Sequence, residues 1–369
     1  MRLKISQENS IVVIHALILS ALFFIPISIS FKAIFLIASL LAILVFPFYR
    51  QQIVYACNTL WGRVTLVLFL CFALGCLHSP APWAMQWSSL SKYLKLLYLP
   101  ILSVAFIDKK LRNRAINTYL IAMLITCIIS MAKAWGFVAS KDAGAVFFNH
   151  IVTGLMMAYA AYLAGVYAFE KQGILRYLYV GMVVLTSYQI LFINIGRTGY
   201  LVYVLLMGLL LIQNLSWKKA GLALLLFVGI LGLVYTQSHY LQMRVHESIY
   251  EVKNFKTNKD TSIGFRLQFH QYAHSLFESH PMFGVGTGGF KYRFTQDNPV
   301  PSWGTTIADP HSQYWMILAE QGLVGMLLLV SFLGALLITS YKLQETRPIL
   351  WGMLIVFCIG SLTDTILCF

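Results

Sequence analysis

Three short stretches of this sequence combine residue types that could do chemistry. The first is Asn194-Ile-Gly-Arg197-Thr-Gly199, where an arginine sits in a glycine-flanked turn between two apolar runs. The second is Ser262-Ile-Gly-Phe-Arg266-Leu-Gln-Phe-His270, followed by His280-Pro-Met-Phe-Gly284-Val-Gly286-Thr-Gly288. The third is Asp309-Pro-His311-Ser-Gln-Tyr-Trp-Met-Ile-Leu-Ala-Glu320-Gln-Gly322-Leu-Val-Gly325, in which a histidine opens an apolar stretch after a proline. Guanidinium groups suit a polyanion, because their planar fork binds phosphate oxygens through charge-assisted hydrogen bonds. An imidazole suits proton removal near neutral pH, since its ordinary pKa is about 6.5. Each residue also has a plainer reading: Arg197 as a side chain snorkelling to lipid headgroups, Arg266 as a solvated charge, His311 as a helix cap. The glycines of the second stretch could turn backbone N–H groups toward an anion. They lack the Lys-Ser or Lys-Thr ending of a nucleotide P-loop.

The elements that must position these residues are set by composition. The chain has 369 residues, 59% of them apolar or aromatic and only 11% charged, which excludes an ordinary water-soluble globule. Apolar runs of spanning length recur near 11–30, 32–48, 61–77, 93–107, 115–138, 150–169, 174–194, 199–213, 219–236, 322–341 and 348–368. A lone segment in lipid must satisfy its backbone internally, so all eleven are read as helices. The expected fold is therefore all-α, a polytopic transmembrane bundle of about 11–12 spans with a partner in the lipid bilayer. Arg2 and Lys4 ahead of the apolar stretch from Ile11 read as the head of an uncleaved first span. The six cysteines contain no Cys-x-x-Cys pair and suggest neither a metal site nor a disulfide framework.

The net charge of +14 is a topology signal before it is anything else, and nucleic acid is not an expected partner. With the N-terminus inside, Arg50 and Arg63, the cluster Lys109, Lys110, Arg112 and Arg114, then Lys171 and Arg176, Lys218 and Lys219, and Lys342 and Arg347 all fall on inside connections. The positive-inside rule then divides the chain into nine spans over residues 1–236, an outside loop over 237–310, and C-terminal helices over 311–369 with two spans. The loop holds seven basic and six acidic residues and five of the nine histidines. Within it Phe265, Phe269, Tyr272, Leu276 and Phe277 recur at helical spacing, so amphipathic helices are expected there.

Taken in order, the Gly-Arg197-Thr-Gly turn, Arg266 in its aromatic-rich helix, the His-Pro-x-x-Gly-x-Gly-x-Gly loop and the His311 helix with its Glu-x-Gly-x-x-Gly ending resemble the core of the O-antigen ligase superfamily. That superfamily comprises O-antigen ligases, O-antigen polymerases and protein O-oligosaccharyltransferases, and the resemblance runs from about Phe147 to Gly325. It implies a metal-independent glycosyltransferase of the bacterial inner membrane, working at the periplasmic face without a cofactor. The implied partners are an undecaprenyl-diphosphate-linked glycan and a lipid A-core acceptor. Carried over by motif, Arg197 and Arg266 bind and stabilise the diphosphate, His311 is the catalytic base, and Asp309 is a candidate to orient it. Many relatives have asparagine after that histidine, where this chain has Ser312. Ligation is expected over polymerisation or protein glycosylation. A transporter or flippase of lipid-linked sugars is the alternative of another class; proton-coupled transporters usually carry ionisable residues in mid-span, whereas Glu320 and Asp364 lie toward the ends of the spans read here.

Overall fold

The structure is a computed structural model that describes residues 7–307 and 309–368. Arg2 and Lys4 lie outside the described residues. The described chain is helical throughout, with short 3₁₀ and π segments and no strand among the described residues. Among the described residues, six helices are long and apolar enough to cross a membrane: Lys109–Ala134, His150–Glu170, Gly173–Ile193, Arg197–Asn214, Trp217–Gln237 and Gln313–Ser340. Ile29–Val45 and Pro47–Asn58 form a further span-like pair bent by 100°, and Ser10–Phe24, Leu60–Gly75 and Arg347–Thr363 are shorter apolar helices. The chain is thus a multi-pass helical membrane protein.

Ten of the eleven apolar runs coincide with these helices, with shifts that have local causes. Pro47 cannot continue the hydrogen bonding of the preceding helix, so the run at 32–48 ends in the sharp bend. The run at 93–107 is not one helix. It is divided among Trp83–Tyr93, Lys95–Ser103 with Pro100 inside it, and the 3₁₀ turn Ala105–Ile107. The run at 322–341 starts earlier, at Gln313, because the polar residues of its first turns are taken up by protein contacts rather than by lipid.

The chain forms two compact units. The first takes in the described part of Met1–Val54 together with Ile101–Arg244 and Pro348–Val356. Its centre is His150–Glu170, whose small residues Ala158, Ala160, Ala161 and Ala164 are fully buried and let neighbouring helices approach closely. Tyr162 on this helix donates to Gln213 Oε1 at 2.7 Å, so the buried phenol is satisfied. By contrast Leu222, Leu225, Leu226 and Leu233 of Trp217–Gln237 are exposed, as a lipid-facing helix requires.

The second unit comprises Tyr55–Pro100, Val245–Arg347 and the described part of Phe357–Phe369. Its long helix Gln313–Ser340 packs along Leu60–Gly75, around Leu68, Phe72, Tyr93, Ile317, Leu329 and Phe332. Phe72 and Tyr93 stack with ring centroids 3.8 Å apart. The long helix is broken at Gly322, which takes φ 61° and ψ −155°. There the segment 281–286 pairs with the opened turn: Leu323 N donates to Pro281 O at 2.8 Å, Val285 N to Ala319 O at 2.9 Å and Gly286 N to Glu320 O at 2.9 Å. A Cβ on Gly322 would stand 2.5 Å from the backbone of Met282, and one on Gly284 would stand 2.4 Å from that of Glu320. Two glycines of separate motifs are therefore two sides of one backbone-to-backbone contact. Gly322→Ala combines that clash with a backbone region open essentially to glycine alone, so it is expected to destabilise the protein by more than about 3 kcal/mol. Gly334→Ala in the same helix, where nothing lies within 4 Å of the added carbon, should leave thermal unfolding in detergent unchanged.

Candidate active site

The turn that carries His311 is built by its neighbours in sequence. Asp309 Oδ1 accepts from His311 N at 2.9 Å, and Pro310 stiffens the residue between them. His311 adopts φ 53°, the left-handed region that a histidine enters more readily than a bulky aliphatic residue. Ser312 then caps the helix: its Oγ accepts from Trp315 N at 3.5 Å and donates to Ser361 O at 3.2 Å. The cap of this helix is therefore Ser312 and not His311.

His311 itself is half-buried, and its Nδ1 is buried without a hydrogen-bond partner. The nearest carboxylate oxygens are Asp364 Oδ1 at 3.6 Å and Asp309 Oδ1 at 3.9 Å. All three donor atoms lie within 4.8 Å of one another, making these the residues best placed to hold a cation should one bind. Each carboxylate oxygen already accepts a backbone N–H, from His311 for Asp309 and from Thr365 for Asp364, so both face the imidazole in a fixed orientation.

Over this turn lies the helix Ser262–Ser279, capped by Thr261 Oγ1, which accepts from Gly264 N at 3.0 Å. Its periodic aromatics do what their spacing suggests. Phe269, Ala273 and Leu276 enter a core with Phe290, Phe294, Val300, Ile307 and Met316, with Phe265 and Tyr272 packed against it. Phe269 also brings its ring to 6.0 Å from that of His311. Next along is His270, its ring tilted against that of Trp315 with centroids 6.2 Å apart. Burial pushes its pKa down; the backbone of His311 opposes this, while the charges of Arg266 and His311 add to it. Arg266 and His270, four residues apart, share one helix face. The structure therefore gathers Arg266, His270, Asp309 and His311 in one unit and adds Asp364.

Arg197 belongs to the other unit. It opens the helix Arg197–Asn214 after a π-turn at Gln189–Ile193, closed by Asn194 N donating to Gln189 O at 2.8 Å. Asn194 is buried and organises the turn: its Nδ2 donates to His150 O at 3.0 Å, its Oδ1 accepts from Gly196 N at 2.6 Å, and Tyr200 donates to its carbonyl. The flanking glycines are here for close packing, not for unusual φ. A Cβ on Gly196 would meet His150 O at 3.0 Å, and one on Gly199 would meet Gly154 Cα at 3.2 Å. The N-terminus of His150–Glu170 meets the same asparagine, and its first residue pairs with Asp142, Nδ1 to Oδ2 at 2.8 Å. Asn194 thus ties the N-terminus of His150–Glu170 to the turn that starts the Arg197 helix.

The glycine loop does not cradle an anion. The N–H groups of Gly284, Val285, Gly286 and Thr287 are engaged with His280 O, Ala319 O, Glu320 O and Gly75 O. Glu320 is likewise structural: its Oε1 accepts from Phe290 N at 3.3 Å at the start of Gly289–Asp297. Asp364 and His270 are the residues that sequence reasoning did not single out. His270 carried a faint signal, lying four residues after Arg266 in the aromatic helix, and Asp364 carried only that of an acid at the end of an apolar run.

These features define a multi-pass helical membrane protein with a histidine–carboxylate site under an amphipathic helix. Residues 181–330 match the family model described as O-Antigen ligase, and over this stretch the chain is similar to that family. No curated protein matches the chain.

Proposed function

We propose that the protein transfers a glycan from undecaprenyl diphosphate to a lipid A-core acceptor at the periplasmic face of the bacterial inner membrane, with residues 237–310 as the periplasmic loop and no metal taking part. The acceptor hydroxyl attacks the anomeric carbon, the bond from that carbon to the diphosphate oxygen breaks, and undecaprenyl diphosphate leaves with the electron pair. His311 takes the hydroxyl proton. Arg197 and Arg266 bind the diphosphate and stabilise the charge that grows on its bridging oxygen, which matters more in the transition state than in the ground state. Asp309 fixes the His311 turn. The observation that carries this reading is the construction of that turn: an imidazole in a left-handed conformation, relieved of any capping duty by Ser312, beneath the helix bearing Arg266.

Arginine takes the part a divalent ion plays in many glycosyl transfers, so purified protein in excess chelator should convert carrier-linked glycan and lipid A-core to glycosylated lipid A-core at close to its untreated rate. Lengthened carrier-linked glycan with no lipid A-core product would make it a polymerase. Activity that returns only with magnesium or manganese would overturn the metal-free mechanism and place the ion at Asp309, His311 and Asp364.

A further inference from the structure

We infer that His150, held by Asp142, is a further phosphate ligand for the lipid-linked donor, its Nε2 hydrogen-bonding a diphosphate oxygen; this rests on the reading of Arg197 as a ligand of that diphosphate. His150 Nδ1 lies 2.8 Å from Asp142 Oδ2. The carboxylate can only accept, so Nδ1 carries a proton, and with the side chain 31% exposed the ring turns Nε2 to the open side. Closing the loop does not need this pair. Asp142 Oδ1 already accepts from Gly144 N at 2.9 Å and Ala145 N at 3.2 Å, Ser130 Oγ donates to Ala143 O at 2.7 Å, and Lys133 Nζ donates to Ala145 O at 2.9 Å. What the second carboxylate oxygen adds is a fixed imidazole. With a carboxylate on Nδ1 and a phosphate on Nε2, the imidazolium makes a charge-assisted hydrogen bond to each.

The site lies at the level where a lipid-anchored substrate carries its phosphates. Its loop joins the end of the span Lys109–Ala134 to the start of His150–Glu170, and Trp135, Phe137 and Phe147 within it are exposed, as aromatic side chains at a membrane–water interface are. It is also next to the Arg197 turn. Gly173–Ile193 returns between His150–Glu170 and Arg197–Asn214, so the first residues of those two packed helices enter from one side. Asn194 Nδ2 donates to His150 O at 3.0 Å, and a Cβ on Gly196, one residue before Arg197, would stand 3.0 Å from the same carbonyl. The backbones that carry the imidazole and the guanidinium are therefore in contact. Lys133 and Lys32, the latter with Nζ 5.9 Å from the centre of the Phe148 ring, bring positive charge to a loop whose own sequence has a single acid, Asp142. A phospholipid headgroup offers the same phosphate chemistry, but a diphosphate can engage two neighbouring cationic residues at once.

The test is equilibrium binding of undecaprenyl diphosphate to the full chain and to His150→Phe, His150→Arg, Asp142→Asn and Arg197→Ala, each folded in nanodiscs of phosphatidylcholine with and without phosphatidylglycerol. His150→Phe keeps a ring but no donor, and is expected to bind about 10-fold more weakly in both lipids. His150→Arg restores charge and donors and should stay within about 3-fold of the parent. Asp142→Asn donates to Nδ1 and leaves a neutral ring with its proton on Nε2, so its loss should fall between the two. Parental binding by His150→Phe, or equal losses in His150→Phe and His150→Arg, would overturn the inference and leave the pair a packing role. A loss confined to discs with phosphatidylglycerol would assign His150 to a headgroup and overturn it as well. If Arg197→Ala binds as tightly as the parent, the reading of Arg197 falls and the inference with it; if Arg197→Ala is weakened and His150→Phe is not, only the role of His150 falls. Should His150→Phe fail to fold, the ¹⁵Nε2 resonance of His150 in the parent decides: a shift on adding undecaprenyl diphosphate supports the inference, and an unmoved line overturns it.

Discussion

Folded His311→Ala protein, saturated with donor and acceptor, is expected to turn over at least about 100-fold more slowly than the parent while still binding the lipid-linked donor. The arginines remain in place, so electrostatic stabilisation of the leaving diphosphate survives and the residual rate is not zero. A stability effect is separable from the chemical one. Ser312 caps the helix, so removing the imidazole deletes no cap, and the remaining cost is that of an alanine at φ 53°. His311→Asn, which tolerates that φ, should be as stable as the parent and just as inactive. Near-parental single turnover in either variant would remove His311 from the mechanism and leave the arginines as its main part.

Much of this architecture was legible in the sequence because it follows from local rules. Apolar runs gave the helices, and the spacing of Phe265, Phe269, Tyr272 and Leu276 gave the helix Ser262–Ser279 with its packed face. What local rules could not give is contact between distant segments. The glycines at 284 and 322 looked like loop and helix punctuation; in the fold each clears space for the other's backbone. Glu320 looked like an ionisable residue in search of a function and proves to hold the start of Gly289–Asp297. Asp364 stands 53 residues after His311 at the end of an apolar run, with no motif around it, and only the folding back of the C-terminal segment brings its carboxylate to the imidazole. Proline decided the one run that is not a single helix, at 93–107, where Pro100 and the break after Tyr93 divide the segment.

Arg197→Lys and Arg266→Lys should each retain donor binding yet lose on the order of 10- to 100-fold in turnover. Lysine keeps the charge, so the ground-state attraction to a diphosphate largely survives; it loses the planar fork that follows the oxygens as charge shifts onto the leaving group. The two sites differ in how their arginine is mounted. Arg197 is the first residue of a helix whose entry is fixed by the buried Asn194, so a shorter-reaching or differently hydrated head cannot be recovered by backbone movement. Arg266 is a half-buried residue one turn into the helix Ser262–Ser279, four residues before His270, so its head is placed by a long side chain on a regular helix rather than by a fixed turn. The loss should therefore be larger at position 197. If both guanidiniums clamp one diphosphate, the double variant should lose much less than the product of the two single losses, since groups acting as a unit are not additive. Strict multiplication of the two losses in single-turnover measurements would mean that they act on separate features of the reaction, and a variant with full turnover would mean that its arginine serves the lipid headgroups alone.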